Sequence, residues 1–291
     1  QVIRAIDCDN QWLGVLFRKK HPMEYPPTLY KYRAFNEHSL KLLSGNEVFF
    51  SAPNRLNDPR DCKIPILYEK GTLQQIYKMN LENLKYVEPR LNSEECKRKA
   101  RELAKTVYAN RNDPKRREAF LNDLYEDINK IGGILSFSAV NDDTLMWAHY
   151  ADGHRGFCVG FDTQKLRSFC KKVEDKGILI WFDKINYHEK LPQIDPYKMT
   201  DQELVITMTY SKSARWSYEE EYRLMCADRP DYLIKIDPNI ISHVLLGSSC
   251  SEDNRLAVID ILKSRVDNIP LSIAVQKENE GGITFKQIKY T

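Results

Sequence analysis

Apolar and polar residues alternate in several short stretches of the chain, a pattern typical of β-strands. In the first stretch, 29–33, Leu29, Lys31 and Arg33 point to one face and two tyrosines point to the other. Similar runs predict strands at 47–51, 134–138, 157–162, 177–182, 184–187, 217–226, 232–236, 240–246 and 271–275.

Elsewhere apolar residues recur at helical spacing, above all between Gly71 and about Lys130, where the sequence is long and highly charged. Shorter helices are predicted at 37–44 behind the N-cap residue Asn36, at 145–150, at 201–210 and at 254–264. We therefore predict an α+β fold with a mostly antiparallel sheet. It forms a single domain over residues 28–291, with a helical insertion at about 71–131 and a proline-rich N-terminal arm over residues 1–27.

The composition is that of a globular protein: 291 residues, 42% of them hydrophobic and 29% charged. Its seven cysteines show no C-x-x-C spacing, which favours free thiols in a reducing compartment and predicts a cytoplasmic protein. No apolar run approaches the length of a membrane span, so we expect no membrane association.

Charge is unevenly distributed along the chain. The net charge of +3 does not by itself indicate a nucleic-acid partner, but residues 97–117 contain nine Lys or Arg and two acidic residues. This segment from Lys97 to Arg117 is either a solvated helix face or a surface for nucleic acid or an acidic partner.

Two groups of residues are candidates for chemistry. In a strand over 217–226, Glu219 and Glu221 share one face and repel each other unless a cation or a substrate hydroxyl relieves them. The alternative is a solvated strand edge on which Arg223 compensates the charge. A polar loop with Asn57 and Asp58 is either functional or an ordinary Asx turn.

A metal site is not predicted. The histidines at 149 and 154 and Cys158 lie close together in sequence, but they have no fourth ligand and no recognised zinc spacing.

Four stretches together resemble a bacterial family known as domain-of-unknown-function family 2971. They are L-Y-K-Y-R from Leu29, F-F-S-A-P-N-R-L-N-D-P from Phe49, L-M-W-A-H-Y-A-D-G-H-R-G-F-C from Leu145 and W-S-Y-E-E-E-Y-R-L from Trp216. The resemblance covers roughly residues 28 to 250.

The pattern of this family is in turn similar to a distant version of the ADP-ribosyltransferase fold. The arginine-specific enzymes of that fold use an Arg on the first strand, a serine-centred strand motif and a Glu-x-Glu, and here Arg33, Ser51 and Glu219-x-Glu221 occur in that order.

The resemblance implies a role for each of these residues. Glu221 would stabilise the oxocarbenium-like state formed as NAD is cleaved, and Glu219 would orient or deprotonate the acceptor. Arg33 would bind the diphosphate of NAD, and Ser51 would hold Glu221 and the ribose. Further residues expected to bind NAD are Tyr32, Asn57, Asp58, Trp147, His149 and Trp216.

The implied function is an NAD-consuming ADP-ribosyltransferase-like enzyme, a toxin or an antiviral effector, that modifies protein or nucleic acid and has an inhibitory partner protein. Two alternatives remain open. In one, the protein binds or cleaves nucleic acid, with a divalent ion held by Asp58, Glu219 and Glu221. In the other, it is a non-catalytic sensor that binds a nucleotide in a degenerate pocket.

Overall fold

The computed structural model describes residues 24–277 and 282–290, so most of the predicted N-terminal arm lies outside the described residues. The described chain divides into two compact units. The larger contains residues 24–51, 133–185 and the chain from Arg215 onward, and the smaller contains residues 52–132 and 186–214.

Most of the predicted strands and helices are present, whereas the helix over 163–174 and the strands over 211–213 and 283–288 were not predicted. The strands are β1 (Thr28–Arg33), β2 (Glu47–Phe50), β3 (Gly132–Ser138), β4 (Phe157–Asp162), β5 (Ile180–Lys184), β6 (Asn186–His188), β7 (Ser211–Ser213), β8 (Glu221–Ala227), β9 (Tyr232–Lys235), β10 (Ile241–Leu246), β11 (Leu271–Gln276) and β12 (Ile283–Ile288). The helices are α1 (Glu37–Ser44), α2 (Leu73–Val87), α3 (Ser93–Ala109), α4 (Pro114–Ile131), α5 (Thr144–Tyr150), α6 (Thr163–Glu174), α7 (Asp201–Tyr210) and α8 (Glu252–Ser264).

The larger unit is built on an eight-stranded sheet with the strand order β12-β11-β10-β4-β1-β3-β8-β5. β1 pairs antiparallel with both of its neighbours, β10 pairs antiparallel with β4, and β5 pairs antiparallel with β8. β10 and β11 pair in parallel. The prediction of a mixed helix-and-strand fold with a mostly antiparallel sheet is confirmed.

Side chains on both faces of this sheet are buried. On one face Leu29, Phe137 and Leu224 belong to a large apolar cluster that also contains residues of α1, α6 and α8. On the other face Tyr32 packs with Trp147 of α5. The sheet is therefore the middle layer of the larger unit.

The central strand β1 is bonded unequally to its two neighbours. It pairs with β4 from Thr28 to Arg33, but its pairing with β3 is at Tyr30 and Ser138. Beyond that pair the side chain of Lys31 reaches β3 instead, since its Nζ donates a hydrogen bond to the carbonyl oxygen of Ser136 at 2.6 Å. The side chain of Lys31 therefore bonds to β3 at the place where backbone hydrogen bonds between β1 and β3 would otherwise continue.

The smaller unit contains α2, α3, α4 and α7, so the predicted helical insertion at about 71–131 consists of three helices. α2 and α3 begin with reciprocal caps in which Thr72 pairs with Gln75 and Asn92 with Glu95. β6 and β7 form a short parallel pair in this unit. No helix in the described ranges has the length and apolar character needed to cross a membrane.

The predicted strand over 217–226 is wrong at its start. Residues Ala214–Glu219 form a 3₁₀ helix, and Glu220 has a φ of 40°, in the left-handed region that a strand cannot contain. The strand therefore begins at Glu221. Alternation within a strand thus cannot place Glu219 and Glu221 on one face.

Candidate functional site

Glu221 and Arg223 form a buried ion pair at the start of β8. They are two residues apart on the strand and therefore share a face. Arg223 donates from Nε to one carboxylate oxygen of Glu221 at 2.6 Å and from a terminal nitrogen to the other at 3.1 Å. The two side chains are 1% and 5% exposed, so the alternative of a solvated strand edge is wrong. A buried carboxylate requires such a compensating cation.

Glu219 lies in the turn before β8 and is also buried. The hydroxyl of Tyr150, the last residue of α5, donates a hydrogen bond to its carboxylate. The turn is fastened to the end of β3 by two hydrogen bonds: the Ser138 hydroxyl donates to the Glu219 carbonyl at 2.7 Å, and the Ala139 amide donates to the Glu220 carbonyl at 3.0 Å. The position of Glu219 thus depends on β3 and α5.

Lys31 of β1 lies in the electrostatic neighbourhood of Glu221. Burial lowers the pKa of Lys31 well below its ordinary value, and the charges of Arg33 and Arg223 lower it further, whereas Glu221 opposes the shift. Burial also lowers the pKa of Arg33. Arg33 and Glu221 therefore both influence the charge of Lys31.

Arg33 is half-buried, and its guanidinium has no hydrogen bond or ion pair with another residue of the described ranges. In this respect it differs from Arg223, which is committed to Glu221. Among Lys31, Arg33 and Arg223, Arg33 is therefore the cation that is best placed to bind an anionic ligand.

The turn that follows α5 packs its backbone directly against the end of β1. A Cβ atom on Gly156 would overlap the carbonyl oxygen of Arg33, and a Cβ on Gly247 would overlap that of His154. The amide of Gly247 also donates to the carbonyl of Gly156 at 2.9 Å. The glycines of this region therefore allow the close approach that positions the end of β1.

Aromatic side chains form an accessible surface beside the turn of Glu219 and Glu220, which we call the glutamate turn. His149 is exposed and its ring lies 6.2 Å from that of Tyr218, which in turn lies 6.1 Å from the half-buried ring of Trp216. Tyr218, which the sequence reasoning did not single out, thus connects two predicted binding residues. Flat rings of this kind can pack against a nicotinamide or a base.

Two other predicted binding residues belong to the core. Trp147 is fully buried, and its indole nitrogen donates to the carbonyl of Asn141 at 2.7 Å. Tyr32 is buried edge-on against Trp147, and its hydroxyl donates to the carbonyl of Val140 at 2.9 Å. Both rings are therefore part of the core of the larger unit, and their predicted contact with NAD stays a prediction.

The serine beside the glutamates is Ser138 rather than Ser51. Ser51 follows β2 and exchanges backbone hydrogen bonds with Ile134 at 2.9 and 2.8 Å. Ser138 closes the S-F-S sequence at the end of β3, the strand between β1 and β8. This S-F-S sequence on a predicted strand was the signal that could have identified it.

Asn57 and Asp58 lie in the smaller unit. A carboxylate oxygen of Asp58 accepts a hydrogen bond from the amide of Arg60 at 2.9 Å, which is the geometry of an Asx turn. In residues 24–277 and 282–290, no three His, Cys, Asp or Glu side chains are grouped so that they could hold a metal ion. The trio of Asp58, Glu219 and Glu221 required by the nuclease alternative is therefore not assembled.

Comparison with known proteins gives one family match, over part of the chain. No curated protein and no solved structure matches the sequence. Residues 146–224 match the model of a family described as protein of unknown function, DUF2971. This segment contains Tyr150, the glutamate turn and the Glu221–Arg223 pair, and the match supports the DUF2971 family for the part of the chain that carries much of the candidate site.

Proposed function

We propose that the larger unit is an ADP-ribosyltransferase-like enzyme that cleaves NAD and transfers its ADP-ribose group. The observation that carries the proposal is the buried carboxylate of Glu221, which Arg223 holds through two hydrogen bonds at the start of β8, two strands away from Arg33 at the end of β1. A cation for a diphosphate and a fixed carboxylate for a developing positive charge are the two groups that this reaction requires.

The arrangement of strands supports the same proposal. The resemblance to ADP-ribosyltransferases implies an arginine on the first strand, a serine motif on another strand and a Glu-x-Glu. Here Arg33 ends β1, the S-F-S sequence ends β3 and Glu221 begins β8, and these three strands are consecutive neighbours in the sheet.

Glu221 and Arg223 each have a definite task in the proposed reaction. The bond that breaks joins the ribose to nicotinamide, and its electron pair leaves with the nicotinamide ring nitrogen. The carboxylate of Glu221 stabilises the positive charge that develops on the ribose. Arg223 is a positioning residue that fixes this carboxylate in place through two hydrogen bonds.

The second half of the reaction forms a bond between the ribose carbon and an acceptor. The acceptor supplies the electron pair and releases a proton, which Glu219 accepts as general base. Tyr150 holds the Glu219 carboxylate in position. With water as acceptor, the same residues would hydrolyse NAD.

Arg33 is the residue we assign to the diphosphate, because its guanidinium offers paired donors that suit phosphate oxygens. Trp216, Tyr218 and His149 offer the aromatic surface for nicotinamide or for the acceptor. Cys96, Cys158, Cys170, Cys226 and Cys250 are free thiols, which supports a reducing, cytoplasmic compartment. Unrestrained cleavage of NAD harms a cell, so a toxin or antiviral effector with an inhibitory partner protein is the setting that we propose.

The test is release of nicotinamide from NAD by the purified full chain, with and without cell extract as a source of acceptors. We expect Glu221→Gln to lower the rate by about 10² or more, since an electrostatic group that acts in the transition state is removed. Arg33→Gln is expected to raise KM. Glu220→Gln is the matched control, because Glu220 is exposed and undergoes the same chemical change one residue away.

Equal rates for the wild-type protein and Glu221→Gln, with both proteins folded by circular dichroism, would contradict the proposal. The double variant Glu221→Gln/Arg223→Gln removes both charges of the pair, so it keeps the test valid where the single variant is unstable. NAD binding that depends on Arg33 without any nicotinamide release would favour the nucleotide-sensor alternative.

A further inference from the structure

The smaller unit carries a strongly basic surface that the proposed NAD chemistry does not use. Between Lys97 and Arg117 there are nine Lys or Arg and two acidic residues. Three of these cations have partners: Lys97 pairs with Glu94, Lys99 pairs with Glu88, and Arg111 stacks on a tyrosine ring. The other six are exposed and have no ion pair with another described residue: Arg98, Arg101, Lys105, Lys115, Arg116 and Arg117. We call these six residues the basic surface.

Half of the basic surface is a row along one side of α3. Arg98, Arg101 and Lys105 recur at i, i+3 and i+7, which places them on one stripe of the helix. The opposite side is buried through Cys96 and Ala100, which pack in an apolar cluster with α2. The rise of about 1.5 Å per residue spreads the three charges over roughly 10 Å. The stripe is therefore a linear array facing away from the apolar packing.

The other half lies in the first turn of α4, where cations disfavour a helix. Lys115, Arg116 and Arg117 occupy the end at which the helix dipole is already positive, and this first turn contains no acidic residue. α3 has the usual arrangement, with Glu94 and Glu95 in its first turn. Helix stability therefore does not explain the three cations of α4, whereas a bound polyanion would compensate their charge.

We propose that the basic surface binds the phosphate backbone of a nucleic acid without regard to sequence. Four of the six residues are arginines, whose planar guanidinium groups bind phosphate oxygens in pairs. A row of charges along a helix suits a linear polyanion with regularly repeated phosphates better than a compact anion. The inference does not depend on NAD cleavage, because it concerns residues of the smaller unit alone.

The experiment measures binding of the full chain to fluorescein-labelled single-stranded RNA, single-stranded DNA and duplex DNA by fluorescence anisotropy at several salt concentrations. A polyglutamate peptide of equal charge serves as the non-nucleic-acid polyanion. The test variant is Arg98→Gln/Arg101→Gln/Lys105→Gln. Its matched control is Lys171→Gln/Lys176→Gln/Lys286→Gln, which removes three exposed charges from the larger unit.

We expect binding that weakens steeply with salt and that the test variant weakens about tenfold or more at low salt. Each phosphate contact contributes about 0.7 to the salt slope for single strands, so the loss of three contacts should reduce the slope by about two. The control should bind like the wild-type protein. Whichever nucleic acid binds most tightly identifies the class of partner.

Three outcomes would overturn the inference: no binding to any of the nucleic acids, equal binding by the wild-type protein and the test variant, or polyglutamate binding as tight as nucleic-acid binding. The last would indicate an acidic protein as the partner. Nicotinamide release in the absence of acceptor should be the same for the test variant and the wild-type protein, so failure of this proposal is distinguishable from failure of the proposed enzyme activity.

Discussion

Replacing Arg223 by methionine should destabilise the larger unit severely. The guanidinium lies 2.6 and 3.1 Å from the two oxygens of Glu221, and both side chains are almost completely buried. At an effective dielectric constant of about 20, opposite charges about 4 Å apart attract by about 4 kcal/mol. Removal of one partner from a buried pair costs about 3–5 kcal/mol, because the other charge is left without compensation.

The loss of stability is measurable by scanning calorimetry of the full chain. Separate unfolding of the two units would also be seen in this experiment. A cost of this size corresponds to a fall in Tm of about 6–20 °C, at roughly 2–4 °C per kcal/mol for a domain of this size. The double variant Glu221→Gln/Arg223→Met should be less destabilised than the sum of the two single variants, because neither charge then remains unpaired.

The chain offers a control with the same geometry at an exposed position. Arg155 donates two hydrogen bonds to the carboxylate of Asp152, at 3.0 and 2.8 Å, but both side chains are largely in water. Solvent screens such a pair, so Arg155→Met should leave Tm nearly unchanged. If Arg223→Met and Arg155→Met shift Tm equally, the argument from burial is wrong.

Two further predictions concern neighbours of this pair. Tyr150→Phe removes a hydrogen bond to the buried carboxylate of Glu219. We expect the free energy of unfolding, measured in urea, to fall by about 1–3 kcal/mol. The control Tyr86→Phe, at an exposed position, should leave it unchanged. Because burial lowers the pKa of Lys31 below its ordinary value of 10.5, the unfolded chain binds this proton more tightly than the folded protein does. The stability of the wild-type protein relative to Lys31→Met should therefore rise as the pH approaches 10.5 from below, and an unchanged difference would show that Lys31 is solvated.

The local sequence is sufficient to predict helices whose caps and limits depend on residues a few positions apart. Asn36 was predicted to cap α1, and its side chain does accept a hydrogen bond from the amide of Ser39. The predicted limits of α7, 201–210, are those observed. Caps and helical periods are short-range features, so no knowledge of the tertiary structure was needed.

The glutamate turn could not be predicted in the same way. Alternation of side chains continues through 217–226, but the left-handed backbone of Glu220 ends the strand pattern before Glu221. Ser138 and the Ala139 amide hold this turn through hydrogen bonds from more than 80 positions away in the chain. The local sequence pattern contains no signal for such long-range hydrogen bonds.

The serine assignment failed for a related reason. Ser51 lies in F-F-S-A-P, which resembled a strand motif, and it does follow a strand. However, β2 pairs with β9 in a separate two-stranded sheet, whereas β3 with its S-F-S sequence lies between β1 and β8. Pairing partners of strands are decided by the whole sheet, so order along the chain did not identify the serine next to the glutamates.

Trp147 shows how an aromatic residue in a distinctive motif can belong to the core. Its side chain is fully buried and bonded to a carbonyl of its own loop. An amphipathic helix of two turns must bury some side chains, and a tryptophan that fills a core gives the same motif as one that binds a base.

The three consecutive glutamates show what distinguishes a candidate catalytic carboxylate from its neighbours. Glu220 is exposed, Glu219 is buried against a tyrosine in a turn, and Glu221 is buried on a strand with a fixed guanidinium. A carboxylate that must stabilise positive charge has to remain ionised and immobile while its surroundings exclude water. Among these three, Glu221 has both a fixed cation and a position on a rigid strand. For this reason Arg223, which would not contact the substrate, is as necessary to the proposed chemistry as Glu221 itself.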